Sequence, residues 1–126
     1  MFDENIGYSR TEIQKLVGGE IQTYLPQKNK RILAGCFNKE LNPDCPVQIQ
    51  AGNAGKVTSK AALVISQPEN EFPIFIKPNK KSKVYRYIGI FRCIGGSSDP
   101  EILREAESKS GRFGQLSYVF NLEKVT

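Results

Sequence analysis

Two apolar segments joined by a short polar loop constrain the fold of this chain more than any other sequence feature. The segments cover residues 72–77 and 84–91, and the loop of residues 78–83 between them is rich in lysine. Runs of this length that are rich in Ile, Phe and Tyr are typical of β-strands, and a short connection favours an antiparallel pair. The pattern therefore predicts two antiparallel strands with lysines concentrated around their turn.

Further strands and helices follow from shorter signals. Residues 31–37, 47–50 and 118–122 have the apolar or alternating composition of strands. Residues 9–12 (SRTE) match the capping box that begins a helix, and Gly18-Gly19 predicts where that helix ends.

A second helix is predicted from about Pro100 to Ser108, with Asp99 as its cap and Gly111 just past its end. Residues 58–67 fit a helix or a strand, and we favour a short helix. Strands outnumber helices, and a chain of 126 residues suits one core. We therefore expect a single α+β domain over residues 1–126, a compact β-rich barrel with two or three short helices.

The positive charge of the chain is confined to one segment. The formal net charge is +5, yet residues 72–98 contain six basic residues and no acidic residue, so the remainder is close to neutral. Focused charge of this kind favours a polyanion as partner, although a solvated lysine-rich turn is the alternative. For a nucleic acid, the predicted backbone contacts are Lys77, Lys80, Lys81, Lys83 and Arg86. Tyr85 and Tyr87 fit either base stacking or packing in the core.

Several kinds of chemistry are excluded or disfavoured. The chain has no histidine, which excludes Ser-His-Asp and Cys-His triads and His-ligated metals. The three cysteines are widely spaced without a CxxC pair, so we predict no zinc site, no cofactor and a reducing compartment. The glycine-rich residues 51–57 depart from a phosphate-binding loop and are interpreted as a turn. A metal-dependent nuclease built on Asp44 and Glu107 stays as a minor alternative to a non-enzymatic module.

The sequence shows no signal for a membrane span or for secretion. No apolar run approaches the roughly 20 residues that span a membrane, and the first residues lack the basic start of a signal peptide. We therefore expect a cytoplasmic protein without a membrane partner.

Three segments, in order, resemble the SRA (SET- and RING-associated) domains, which are PUA-like modules that read modified cytosine by base flipping. Residues 7–13 (GYSRTEI) are similar to the family's opening signature, and Arg10 lies within it. Residues 33–40 (LAGCFNKE) resemble the pocket motif, in which an aromatic ring stacks on the extruded base and a nearby Asp reads its edge. Residues 72–77 and 85–92 resemble two later strands of the family.

The resemblance implies a DNA-binding module that recognises 5-methyl- or hydroxymethylcytosine in duplex DNA, possessing no catalytic residues of its own. Related modules occur in modification-dependent restriction proteins, so a nuclease domain or subunit is an implied partner. Phe37 takes the place of the stacking tyrosine, and Glu40, Asn42 or Asp44 would supply the edge-reading group. The implied base pocket comprises Ala34, Gly35, Cys36, Phe37, Asn38, Glu40, Asn42 and Asp44. The implied DNA-backbone contacts comprise Arg10, Lys77, Lys80, Lys81, Lys83, Tyr85, Arg86 and Tyr87. A protein-interaction domain whose basic hairpin binds an acidic partner is the main alternative.

Overall fold

A computed structural model describes residues 2–125 of the chain. In this range the chain forms eight strands and three helices. In chain order they are β1 (Gly7–Tyr8), α1 (Arg10–Val17), β2 (Gln27–Lys28), β3 (Arg31–Ile32), β4 (Gly35–Asn38), β5 (Gln48–Gly52), α2 (Gly55–Ser66), β6 (Glu71–Lys77), β7 (Tyr85–Ser97), α3 (Pro100–Ser110) and β8 (Leu116–Lys124).

One mixed sheet dominates the structure. Its strand order is β4-β6-β7-β8-β5, β1 pairs with β7 at one end, and β2 and β3 form a separate small hairpin. The pair of β6 and β7 is antiparallel, as the two apolar segments predict, whereas β4 lies parallel to β6. The outer strands β4 and β5 do not pair with each other in the described residues, so the sheet stays open where we expected a closed barrel. The α+β class is confirmed.

Helices α1 and α3 begin and end where their caps predict. The Ser9 hydroxyl accepts a hydrogen bond from the Glu12 amide, and the Glu12 carboxylate accepts one from the Ser9 amide, which completes the capping box of α1. Asp99 caps α3 through the Glu101 amide, and Gly111 ends it in a left-handed conformation. The ambiguous segment 58–67 is the body of α2, which begins three residues earlier than predicted. The residues from 2 to 125 include no helix that is long and apolar enough to cross a membrane.

Strand β6 is buried on both faces, which explains why its sequence is a continuous apolar run. Ile74 and Phe75 are both 0% exposed but belong to different clusters, because successive side chains of a strand point to opposite faces. The larger cluster includes Phe72, Ile74 and Phe120, and α2 packs against it through Ala61 and Val64. The smaller cluster lies beneath α1 and β1. Cys36, Cys45 and Cys93 are buried and form no disulfide.

Candidate nucleic-acid interface

Two adjoining cavities lie at the end of the sheet where β4 is the outer strand. We call them the inner cavity, of about 610 Å³, and the basic cavity, of about 550 Å³. Both are lined by the segment of residues 21–24 and by Cys36 and Asn38 of β4. Segment 21–24 and the β4 residues therefore form a wall that the two cavities share, and a ligand of one cavity is adjacent to a ligand of the other.

Segment 20–25 is held in place by buried polar contacts. Lys60 of α2 is buried, and its Nζ donates to Glu20 Oε2 at 2.7 Å and to the Leu25 carbonyl at 2.8 Å. Burial raises the pKa of the Glu20 carboxyl, but hydrogen bonds from Lys60 and the Gln27 amide outweigh it and keep that pKa below its usual value. On the other side of the segment, Arg10 Nη2 donates to the carbonyls of Glu20 at 2.6 Å and Thr23 at 3.3 Å. The wall is thus fixed from both sides before any ligand binds.

Tyr24 supplies an aromatic ring to the shared wall. Its hydroxyl donates to the Val57 carbonyl at 2.8 Å, and its ring centroid lies 6.3 Å from that of Phe37. Burial raises the pKa of the Tyr24 hydroxyl, so the ring stays neutral at physiological pH. Tyr24 is partly exposed and lines both cavities, whereas the Phe37 ring is 1% exposed and belongs to the larger core cluster. Tyr24 is therefore the ring that a ligand can reach.

Arg112 enters the inner cavity from the turn between α3 and β8. Its Nη1 donates to the Leu41 carbonyl at 3.3 Å and to the Gln50 carbonyl at 3.2 Å. Burial lowers the pKa of this guanidinium, but an arginine keeps its charge in any protein environment. No carboxylate in the described part of the chain lies within 4 Å of it. Among residues 2–125, the charged side chains that line the inner cavity are those of Lys56, Lys60 and Arg112 and one acid, Glu20.

The basic cavity contains most of the predicted backbone contacts. It is lined by five cationic side chains and, within residues 2–125, by no acidic one. These side chains belong to Arg10, Lys77, Lys80, Lys81 and Lys83.

The turn that carries these lysines is ordered by its own hydrogen bonds. The Ser82 amide donates to Asn79 Oδ1 at 2.8 Å, and the Lys80 amide donates to Glu40 Oε1 at 3.0 Å. Lys77 Nζ lies 5.1 Å from the ring centroid of Tyr85. The charged side chains are thus concentrated on a defined turn, where a polyanion meets them together.

The implied base-pocket residues divide into three groups. Cys36, Phe37, Asn38 and Asn42 line the inner cavity. Ala34 and Gly35 are buried in the sheet behind it. The carboxylates of Glu40 and Asp44 lie outside the inner cavity. Glu40 accepts a hydrogen bond from the Lys80 amide, and Asp44 forms an ion pair of 2.8 Å with Lys109.

The Phe37 ring is buried, whereas the resemblance to the pocket motif implies a ring that is open to an extruded base. A Cβ on Gly35 would lie 2.6 Å from the Phe37 ring, so the glycine leaves the space that this ring fills in the core. Burial also raises the pKa of the neighbouring Cys36 thiol to about 11, so it is a neutral wall residue. Asn38 Oδ1 accepts a hydrogen bond from the Leu41 amide, and Asn42 Oδ1 accepts one from the Gln50 amide.

Both tyrosines of β7 pack in or against the smaller core cluster, while Tyr85 also lines the basic cavity and Tyr87 stays partly exposed. Tyr85 is 8% exposed in the smaller cluster, and the Tyr87 ring lies 5.6 Å from that of Phe75. Arg86 lies outside the basic cavity and lines a third one of about 510 Å³, together with Lys39, Lys77 and Lys124. Apolar side chains form the rest of that lining, which suits the acidic protein partner of the main alternative hypothesis. That hypothesis stays a prediction.

The two residues of the nuclease hypothesis have structural partners. Asp44 is paired with Lys109, as described above. Glu107 is 6% exposed, and its Oε2 accepts a hydrogen bond from the Leu116 amide at 3.5 Å. Across residues 2–125 no three His, Cys, Asp or Glu side chains are grouped so as to hold a metal ion.

Sequence reasoning missed Tyr24, Lys60 and Arg112. Each lies on a segment without a local motif, and each reaches the site through a contact with a distant residue. Arg112 and Leu41 are 71 positions apart, and Tyr24 and Val57 are 33 positions apart. A local pattern carries no signal for such a contact.

Comparisons with known proteins show the fold. No family model matches the sequence, and no curated protein matches it. Among solved structures, the chain is similar to the SRA domain of SUVH5 in complex with hemi-methylated CG DNA. The TM-score is 0.61 at 15% identity, over 99% of this chain and 89% of that chain. The fold is therefore SRA-like, as the resemblance of the three sequence segments implied.

Proposed function

We propose that this chain is a DNA-binding module that reads a modified cytosine, 5-methyl- or hydroxymethylcytosine, in duplex DNA. The observation that carries the proposal is the wall shared by the two cavities. One cavity presents five cationic side chains, and the other is enclosed by Tyr24, polar groups and a guanidinium. A flipped nucleotide needs this arrangement, since its base and its phosphates are joined through a single sugar.

The two cavities have different tasks under this proposal. The lysines of the basic cavity neutralise phosphates, which gives affinity that is independent of sequence and falls with salt. The inner cavity receives the extruded base, whose unstacking costs a few kcal/mol that stacking and hydrogen bonds must offset. Tyr24 is the ring that stacks, and Phe37 supports it from the core. The SUVH5 domain, which shares the fold, is described in complex with hemi-methylated DNA, and this supports the same class of ligand here.

The proposed module has no catalytic task. We propose that it supplies specificity, and that a nuclease domain or subunit of a restriction system supplies cleavage. Strand cleavage by the purified chain with Mg²⁺ or Mn²⁺ would contradict this part of the proposal.

The decisive experiment compares duplexes that differ only at one central cytosine. Fluorescence anisotropy would measure the affinity for unmodified, methylated and hydroxymethylated duplexes from 50 to 300 mM salt. We expect at least one modified duplex to bind tenfold more tightly than the unmodified one, with a ratio that persists as salt rises. Equal affinity for all three, with a steep salt dependence, would leave only a basic surface. In parallel, a 2-aminopurine beside the modified cytosine should brighten on binding if the base leaves the stack.

A further inference from the structure

We infer that Arg112 selects the ligand of the inner cavity, and that this ligand is a cytosine whose 5-substituent accepts hydrogen bonds or carries negative charge. A methyl group does neither. The inference rests on the proposed function and narrows it from modified cytosine in general to one chemical class of modification.

The guanidinium of Arg112 is held at the cavity lining by the protein backbone. Its Nη1 donates to the carbonyls of Leu41 and Gln50, and its Nη2 lies 3.2 Å from the place that a Cβ on Gly52 would take. Gly52 therefore leaves room for the second amino group beside the strand. The head group is positioned before a ligand arrives, and binding does not have to order it.

The guanidinium also lacks a counter-ion. The one acid of the cavity lining, Glu20, is already paired with Lys60, and Arg112 Nε has no hydrogen-bond partner in the described residues. A half-buried guanidinium that is hydrogen-bonded only to backbone carbonyls favours a ligand that brings a further acceptor or a negative charge. A methyl substituent would leave the same donors unpaired.

A second unpartnered group lines the same cavity. Gln50 is 4% exposed, and its Nε2 donates to the Ala106 carbonyl at 2.9 Å, which fixes its amide orientation. Its Oε1 has no partner in the described residues. Within residues 2–125, the lining thus holds one acceptor without a partner, Gln50 Oε1, and one guanidinium without a carboxylate partner, that of Arg112.

The volume of the inner cavity agrees with a substituted base. A volume of about 610 Å³ lies in the range of pockets that enclose whole small-molecule ligands. The cavity therefore has room for a base together with a polar substituent beside Arg112.

The test is a series of duplexes that differ only in the substituent on one cytosine: hydrogen, methyl, hydroxymethyl and carboxyl. We expect affinity to rise from methyl through hydroxymethyl to carboxyl, with at least tenfold between methyl and carboxyl. If methyl binds as tightly as carboxyl or more tightly, and more tightly than hydrogen, the inference is overturned while the reader function stands. If all four duplexes bind alike, the proposed function itself fails.

Variants of Arg112 assign the effect to this residue. R112Q keeps hydrogen-bond donors but removes the charge, and it should reduce the preference for carboxyl over methyl at least tenfold. R104Q removes the same charge from an exposed position of α3, outside both cavities, and should keep the full preference. If thermal unfolding shows R112Q to be unfolded, R112K decides, since a lysine lacks the two-pronged donor set of arginine. R112K should then lower the preference at least threefold, and an unchanged preference in a folded Arg112 variant overturns the inference.

Discussion

Tyr24 shows how much the site depends on the burial of single rings. Tyr24 and Phe37 are neighbours, but Tyr24 is partly exposed and lines both cavities, while Phe37 is 1% exposed and lines only the inner one from the core. The Tyr24 hydroxyl is tied to the Val57 carbonyl, so the ring is held in one orientation. A rigid ring that is already in place loses little conformational freedom when a base stacks on it.

We therefore predict that Tyr24→Ala removes most of the discrimination between modified and unmodified duplexes. Loss of one stacking ring is worth about 1–3 kcal/mol per base, which corresponds to roughly 5- to 150-fold in affinity. Tyr24→Phe is the matched control, since it keeps the ring and removes only the hydroxyl, and it should retain most of the discrimination. Anisotropy titrations of both variants would check this, and equal behaviour of the two variants would contradict a stacking role.

At the scale of elements, local signals predicted most of the fold. The apolar run of β6 identified a strand because both of its faces are buried, and the capping residues Ser9 and Asp99 located two helix starts. The site was less predictable. The pattern around Phe37 does not say which side of β4 faces a cavity, and Arg112 follows a helix cap without any motif of its own.

Strand β4 also gives a stability prediction. A Cβ at Gly35 would lie 2.6 Å from both Ile74 Cδ1 and the Phe37 ring, and all three residues are buried. Gly35→Ala should therefore lower the free energy of unfolding by about 1–3 kcal/mol, the usual cost of overpacking a core. Gly55→Ala is the matched control, because nothing lies within 4 Å of its added Cβ, and it should be neutral or slightly stabilising. Urea unfolding would measure both, and similar values for the two variants would mean that β4 adapts freely.

At the scale of the whole molecule, charge and cavities coincide. The segment with six basic residues and no acid supplies four of the five cations that line the basic cavity, and Arg10 supplies the fifth. The rest of the sequence is close to neutral. A field concentrated at one place steers a polyanion to that place and orients it. The cations of the basic cavity therefore lie beside the inner cavity across the shared wall, which is the arrangement that the proposed function requires.

The charge distribution predicts how a triple variant of the lysine turn behaves. Replacing Lys80, Lys81 and Lys83 with alanine should weaken the binding of modified and unmodified duplexes by the same factor, because under the proposed function these side chains of the basic cavity contact phosphates and not bases. The slope of log affinity against log salt should also become shallower by about 2 to 3, since each lost phosphate contact removes about 0.9. The modified-to-unmodified ratio should stay unchanged.

The matched control replaces Lys15, Lys28 and Lys30, which are exposed and line neither cavity. It removes the same total charge, so a general loss of attraction would appear equally in both triple variants. We expect the control to keep most of the affinity and nearly the full salt slope, because its lysines are not among those that line the basic cavity. If both triple variants weaken binding equally, DNA responds to net charge alone and the basic cavity is not the backbone site. If the first variant instead loses the modified-to-unmodified ratio, the lysine turn takes part in reading the base, and the division of tasks between the two cavities is wrong.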